Sequence, residues 1–225
     1  MSAALDQRYY EVVKPSSVGE RLFIEARDRI YQDFLDRMQP AESSRILDVG
    51  VSDNLSVAAN VLERKYQHRQ NITACGIEEC AEFQSAFPDI RYVQIEPNAR
   101  LPFADKSFDI ATSNAVLEHV GSAENQAFFV RELARVAKRA FISVPNRYFP
   151  IEHHTAVPLL HYSDRGFELA CSALGESYWT DDSNLILMTR KQLWRLAAEL
   201  PMSVAVGYTG LRFGPLSSNL YLALH

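Results

Sequence analysis

The chain has only three cysteines in 225 residues, and their number and spacing exclude two of the usual uses of cysteine. An odd count does not make a closed disulfide framework, and Cys75 and Cys80 have four residues between them, not the spacing of a zinc knuckle. All three read as reduced packing residues. Positive charge is not in excess either: 23 Lys and Arg stand against 28 Asp and Glu, a net charge of −5, so the basic surface of a nucleic-acid binder is missing. No apolar run approaches the roughly 18 residues that span a bilayer. The opening stretch "MSAALDQRYYEVVK" has no apolar core of signal-peptide length, and the expectation is a cytoplasmic protein without a membrane span. There is no internal repeat, low-complexity tract or linker, and the length suits one domain over 1–225.

What is present is an alternation of short apolar runs and amphipathic stretches. Leu22, Ala26, Ile30, Phe34 and Met38 recur every four positions and Pro40 follows, which predicts a helix from Gly19 to Met38 and a helical cap over about 1–40. Strands are predicted at Arg45–Val49, Ile72–Ile77, Ile90–Ile95, Phe108–Ser113 and Phe141–Val144, with helices at Leu55–Tyr66, Ala81–Phe87 and Ala123–Ala137. Parallel neighbours need crossovers of about a dozen residues, so this order predicts a doubly wound α/β sheet. Thr189 with Gln192 three positions on is a capping-box pattern, and a helix follows it. Ser203–Tyr208 and Asn219–Leu224 are joined by too short a connection for a crossover, so they should pair antiparallel.

Three segments carry a resemblance. "ILDVG" lies at the end of the first strand, "GIEEC" at the end of the second, and "LPFADKSFDIATSNAVLEHV" surrounds the fourth. Together they resemble the class I S-adenosylmethionine (SAM)-dependent methyltransferases over roughly residues 40 to 145. The LPF-x-D-x-SFD core and the L-E-H turn are similar to the small-molecule branch. "SVPNRYFPIEHHTAVPLLHY" looks like a segment of bacterial methyltransferases of polysaccharide and secondary-metabolite type. The resemblance implies a Rossmann-like, mostly parallel seven-stranded sheet in three α/β/α layers with an antiparallel C-terminal hairpin. It further implies SAM as cofactor and methyl transfer to an O or N atom of a small-molecule acceptor, a metabolite or a sugar.

The expected cofactor residues are Asp48, Gly50, Ser52 and Asn54 in the first loop, then Glu78, Glu96, Asn98 and Asn114. SAM carries no phosphate, so the three-glycine logic of a pyrophosphate loop is relaxed and Ser52 is tolerable where a second glycine is usual. Asp53 or Asn54 could equally cap a helix starting there. Glu78, near the end of the second strand, could accept both ribose hydroxyls. In the family an acidic residue after strand three holds the adenine amino group; Pro97 falls near that place here, and Glu96 and Asn98 compete for the role. Asn114 should point into the crevice beside the sulfonium.

His119, His153 and His154 are the candidate bases, since a histidine can take a proton from a hydroxyl acceptor near neutral pH. Arg147, Tyr148 and His161 are candidate substrate contacts, on an insertion over about 146–184 that closes over the acceptor. Tyr162, Phe167, Tyr178 and Trp179 offer an apolar lid or simply core. From a loop, His153 and His154 could hold a metal with Glu152 or His161, but the reading adopted assigns no metal.

Two other functions compete. A nicotinamide-dependent oxidoreductase or epimerase lacks its G-x-G-x-x-G here. A catalytically degenerate methyltransferase fold that binds a partner is motivated by Ser52 and "IEPNA". A protein acceptor is not excluded, nucleic acid is disfavoured by the charge balance, and a homodimer is left open.

Overall fold

The computed structural model describes residues 18–225, with side chains from Arg21 onward, so the opening stretch read above for a signal peptide lies outside the described residues. The four-residue apolar recurrence builds helix α1, Val18–Met38, which buries Ala26, Ile30, Phe34 and Met38 and leaves Leu22 exposed. It ends as the sequence predicts: Gln39 adopts a left-handed φ of 42° just before Pro40, which cannot continue a helix.

Seven strands follow: β1 Ile46–Val49, β2 Ile72–Gly76, β3 Arg91–Gln94, β4 Phe108–Asn114, β5 Ala137–Pro145, β6 Val204–Phe213 and β7 Leu216–Leu224. They form one sheet in the order β3-β2-β1-β4-β5-β7-β6. The first five are parallel, and β7 inserts antiparallel between β5 and β6. The strand order reverses at the β1/β4 boundary, the place where an open α/β sheet leaves a crevice at its carboxyl edge.

Leu47 and Val49 point to one side with Ile142, Leu220 and Leu222, where α4 (Ala123–Val136) and α6 (Arg190–Ala197) add Val130, Leu133 and Leu193. Ile46 points to the other side with Ile110, Phe141 and Tyr221, under α1, α2 (Val61–Lys65) and α3 (Ala81–Ala86). Phe141 joins the layers, meeting Phe34 edge-on at 5.9 Å and stacking on Tyr221 at 5.7 Å. Burying such a ring contributes about 2–3 kcal/mol. The capping box of Thr189 and Gln192 starts α6 as the pattern predicts. Cys75, Cys80 and Cys171 are free and buried.

Four differences from the sequence reading have physical causes. The helix expected over Leu55–Tyr66 is reduced to α2, because residues 50–60 are held in turns by side-chain hydrogen bonds from Asn60. Strand β5 begins at Ala137, directly after α4, so it extends four residues upstream of Phe141 along β4. The final hairpin is longer than expected and turns tightly at Gly214, whose φ is 56°. The segment after β5 contains an additional helix, α5 Asp164–Leu174, capped by the Ser163 hydroxyl and stopped by Gly175 at φ 76°. Phe167, Cys171, Trp179 and Leu185 make a small core of their own there. Among the described residues, no helix is long and apolar enough to cross a membrane.

Candidate active site

At the carboxyl edge of β1 and β4 lies a cavity of about 350 Å³, in the size range of small-molecule sites, roughly 300–1,000 Å³. Its walls include the inner face of α1, the loop after β1, the end of β2, the loop after β3, the turns after β4 and β5 and part of α4. Asp48, Gly50, Ser52, Asn54, Glu96, Asn98, Asn114, His119, His153 and His154 all line it.

The loop after β1 needs glycine at one point. Gly50 has φ +111°, and a Cβ there would stand 2.1 Å from Val116 Cγ2. The next residues are fixed from a distance. Asn60 Nδ2 donates to the Ser52 carbonyl at 2.9 Å and to that of Asn54 at 3.1 Å, while Ser52 N donates to Asn60 Oδ1 at 3.3 Å. Asn60 itself is left-handed at φ 49°, a conformation asparagine tolerates better than most residues. Nothing in the periodicity of the sequence singles it out. Asp53 caps a helix, though not the expected one: its carboxylate accepts from Phe83 N at 2.8 Å, in the first turn of α3.

Behind the loop two acids meet. Asp48 on β1 and Glu63 on α2 lie close enough to perturb one another, neither Glu63 oxygen having a hydrogen-bond partner among the described residues, and burial pushes Asp48 up to about 6. Glu63 is raised well above the usual carboxylate range, first by burial and then by the charge of Asp48. Burial and mutual repulsion both favour the pair keeping a proton.

Glu78 stands two residues past the end of β2, half-buried, and is not among the residues lining the cavity; Gly76 and Ile77 are. Its carbonyl accepts from the Tyr92 hydroxyl. Glu96 and Asn98 are exposed on the rim, and Asn114 Oδ1 accepts from Ser143 Oγ at 2.6 Å at the end of β4.

The three candidate bases differ sharply. His119 Nδ1 donates to the Asn184 carbonyl at 2.7 Å, and its Nε2 lies 3.2 Å from His154 Nε2. His154 Nδ1 donates to Glu152 Oε1 at 2.8 Å. Burial and then the neighbouring His154 drive His119 down to about 3. Burial favours the neutral form of Glu152, but hydrogen bonds from His154 and Thr155 outweigh it and hold the carboxylate at about 2. Burial raises Glu118 to about 7, and neither of its oxygens has a hydrogen-bond partner among the described residues. His153 also lines the cavity and is lowered to about 4, mainly by burial. Among the described residues, its ring nitrogens have no hydrogen bond, and its ring faces Phe149 at 6.0 Å.

The expected substrate contacts lie elsewhere. Arg147 donates to the His161 carbonyl at 3.1 Å and to Asp164 at 2.6 Å, tying β5's exit to the start of α5. His161 is fully buried with Nε2 donating to the Phe149 carbonyl at 2.8 Å, and Tyr148 is half exposed with its carbonyl accepting from Tyr162. None of Arg147, Tyr148 and His161 lines the main cavity; they knit the segment together, because its turns have few backbone partners of their own. Phe23, Arg27, Ile30, Tyr31 and Phe34 of α1, by contrast, form a wall that the sequence reading assigned only to a cap. The Arg27 guanidinium lies 4.9 Å over the Phe23 ring, its pKa lowered by burial and partly restored by Glu118.

With this geometry in place, residues 47–140 match the family model described as a methyltransferase domain. No curated protein matches the chain. Among solved structures, a SAM-dependent methyltransferase from Aquifex aeolicus superposes with a TM-score of 0.60 at 13% identity, covering 97% of this chain and 96% of that one. Magnesium protoporphyrin IX methyltransferase from Synechocystis PCC 6803, solved with bound SAH, gives 0.58 at 14% identity, over 97% and 90%. The CurJ carbon methyltransferase gives 0.57 at 15% identity, over 97% of this chain and 56% of that one. At these identities the likeness shows the fold, a Rossmann-like α/β sheet with an antiparallel C-terminal hairpin.

Proposed function

We propose that this protein is a methyltransferase that takes its methyl group from SAM, a reading supported by the match of residues 47–140 to a methyltransferase domain, and that it methylates an O or N atom of a small-molecule acceptor. The observation that carries this reading is one cavity that runs from Gly50 at the tip of β1 to His153 beyond β5, so that donor and acceptor share a single chamber. The donor occupies the end formed by Asp48, Gly50, Ser52 and Asn54, with Glu96 and Asn98 at the adenine side and Asn114 beside the sulfonium. Glu78 does not line this end and reaches the ribose only by turning toward the cavity. The acceptor occupies the end between α1 and the histidines, under the 146–184 segment.

Methyl transfer is an in-line displacement in which the sulfonium loses its positive charge. The chain's task is to hold acceptor and methyl about 3–3.5 Å apart in a site closed to water. A hydroxyl acceptor also has to lose a proton. His153 is the group placed to take it, because its burial keeps the ring neutral and its nitrogens are not committed to protein partners among the described residues. His119 and His154 face one another and would each have to break that arrangement first.

Calorimetry with S-adenosylhomocysteine and with NAD tests the first half: micromolar binding of the former and none of the latter is expected, and no heat with S-adenosylhomocysteine sinks the reading. Transfer of labelled methyl from SAM to a panel of phenols, sugars and amines tests the second. On a hydroxyl acceptor, His153→Ala should lower kcat about 10²–10⁴-fold with S-adenosylhomocysteine affinity unchanged.

A further inference from the structure

The two histidine rings at the cavity wall pose a question of charge. Asn184 offers His119 Nδ1 a carbonyl, which can only accept, so Nδ1 carries the hydrogen and Nε2 a lone pair. Glu152 is an ionised acceptor already holding His154 N at 2.8 Å, Thr155 N at 2.6 Å and the Thr155 hydroxyl at 2.7 Å on one oxygen. Its other oxygen fixes a hydrogen of His154 on Nδ1 and turns Nε2 toward His119. The two Nε2 atoms therefore face each other across 3.2 Å, with ring planes 86° apart, and a positive charge is needed between them.

A proton on one ring would satisfy the two nitrogens and nothing else. Beside them sits Glu118, 1% exposed, with both carboxyl oxygens lacking a hydrogen-bond partner among the described residues. One of these oxygens is 3.9 Å from His119 Nε2, and single ligand atoms of Glu118, His119 and His154 all lie within 4.8 Å of one another. Arg27 acts on it through charge but donates no hydrogen bond to either oxygen. A divalent ion accounts for all three groups at once. Two imidazole nitrogens at about 2.0–2.1 Å on a tetrahedral ion stand roughly 3.3 Å apart, close to the spacing seen here.

We propose that Glu118, His119 Nε2 and His154 Nε2 form a binding site for a divalent transition-metal ion, zinc foremost, with Glu152 and the Asn184 carbonyl fixing the two rings from behind. The partners on the far nitrogens are those that metal-bound histidines use to set tautomer and orientation. Two histidines and one carboxylate leave a coordination position open, as in catalytic sites. His119 and His154 line the cavity, so that position is reachable by an oxygen-bearing acceptor. This departs from the metal-free expectation drawn from the sequence. The chain order helps explain why: His119 and His154 are 35 residues apart, and only the return of the chain after β5 joins them.

The test uses the whole protein stripped with a chelator. Cobalt(II) should give the visible absorption of a low-coordinate site, and equilibrium dialysis should leave one equivalent of zinc bound at micromolar free metal. Glu118→Gln, His119→Ala and His154→Ala should each weaken zinc at least about 100-fold, and Glu152→Gln about 10–100-fold. His225→Ala, at the exposed end of the chain, should change nothing. A wild-type protein that shows no cobalt spectrum and retains no zinc overturns the proposal whether or not the variants fold. Equal zinc affinity in wild type and folded ligand variants overturns it too. S-adenosylhomocysteine titrations on the same samples report separately on the methyl-transfer reading.

Discussion

Asn60 grips Ser52 from both sides, donating to its carbonyl at 2.9 Å and accepting from its amide at 3.3 Å across eight residues of chain. The side chain thereby does for the loop after β1 what a second glycine or a long helix would otherwise do: it sets the path of the backbone. Asn60→Asp keeps the acceptor and the tolerance for φ 49° but removes both donated bonds. At about 1 kcal/mol per bond, affinity for S-adenosylhomocysteine should fall roughly tenfold or more, with little change in melting temperature. An unchanged dissociation constant by calorimetry would show that the loop holds itself.

The buried pair of Asp48 and Glu63 ties stability to pH. Both carboxyls are raised in the folded protein, Asp48 to about 6 and Glu63 well above the ordinary range, chiefly by burial. Their protonated forms are favoured by folding, so the stabilising contribution is complete below the ordinary carboxylate value of 4.5 and is lost as pH rises through the raised values. Glu63→Gln holds the neutral form at every pH. Its melting temperature should match that of the wild type near pH 4.5 and exceed it by a few degrees at pH 8, given roughly 2–4 °C per kcal/mol at this size. A constant difference across the range would rule out the retained proton.

Gly50 is strained for any other residue. Alanine there adopts φ +111° and drives its Cβ to 2.1 Å from Val116 Cγ2. The expected loss is about 2–4 kcal/mol of stability, with S-adenosylhomocysteine binding abolished. Adding Val116→Ala removes the steric part but not the backbone part, so the double variant should recover only a fraction. Full recovery would show that φ at this position is unimportant.

Arg135 holds the wall beneath the cavity. Its guanidinium donates to both Glu132 oxygens, to Asp105 and to the carbonyls of Leu101 and Phe103, and Glu132 in turn accepts from Leu101 N. Arg135→Met should cost about 2–3 kcal/mol in denaturant unfolding. Arg135→Lys should recover little, because an ammonium cannot reproduce the planar fork. A lysine variant as stable as the wild type would reduce the network to plain charge pairing.

The sheet was legible because its signals are local. Short apolar runs bounded by turns, the helix stop at Pro40 and the Thr189–Gln192 box each act within a few residues, and the structure carries each of them. The loop after β1 was less so: a helical pattern over Leu55–Tyr66 is overridden by Asn60, whose partners are set by tertiary geometry. The histidines could be picked out from "LEH" and "EHH", but not their relation, since the meeting of His119 with His154 depends on where β5 lets the chain go. Arg147 and His161 read as substrate contacts because they sit on the segment expected to close over the acceptor. In the chain itself they satisfy carbonyls in a segment with little regular structure. The wall made by Phe23, Arg27 and Tyr31 was hidden for another reason: α1 is amphipathic, and periodicity does not say whether an inward face meets core or a hollow.

Helix α1 serves two neighbours with one face. Ile30 and Phe34 border the chamber and also lock onto the sheet with Phe141, so room for a bulkier guest cannot be made there without unseating the interior. The opposite bank is built more lightly: Ile151, Leu159 and Leu160 lie open to solvent around the turn that bears His153. Any widening of the range of molecules this scaffold accepts is therefore easiest on the side where the histidines stand, and that side can be redrawn while the sheet stays as it is.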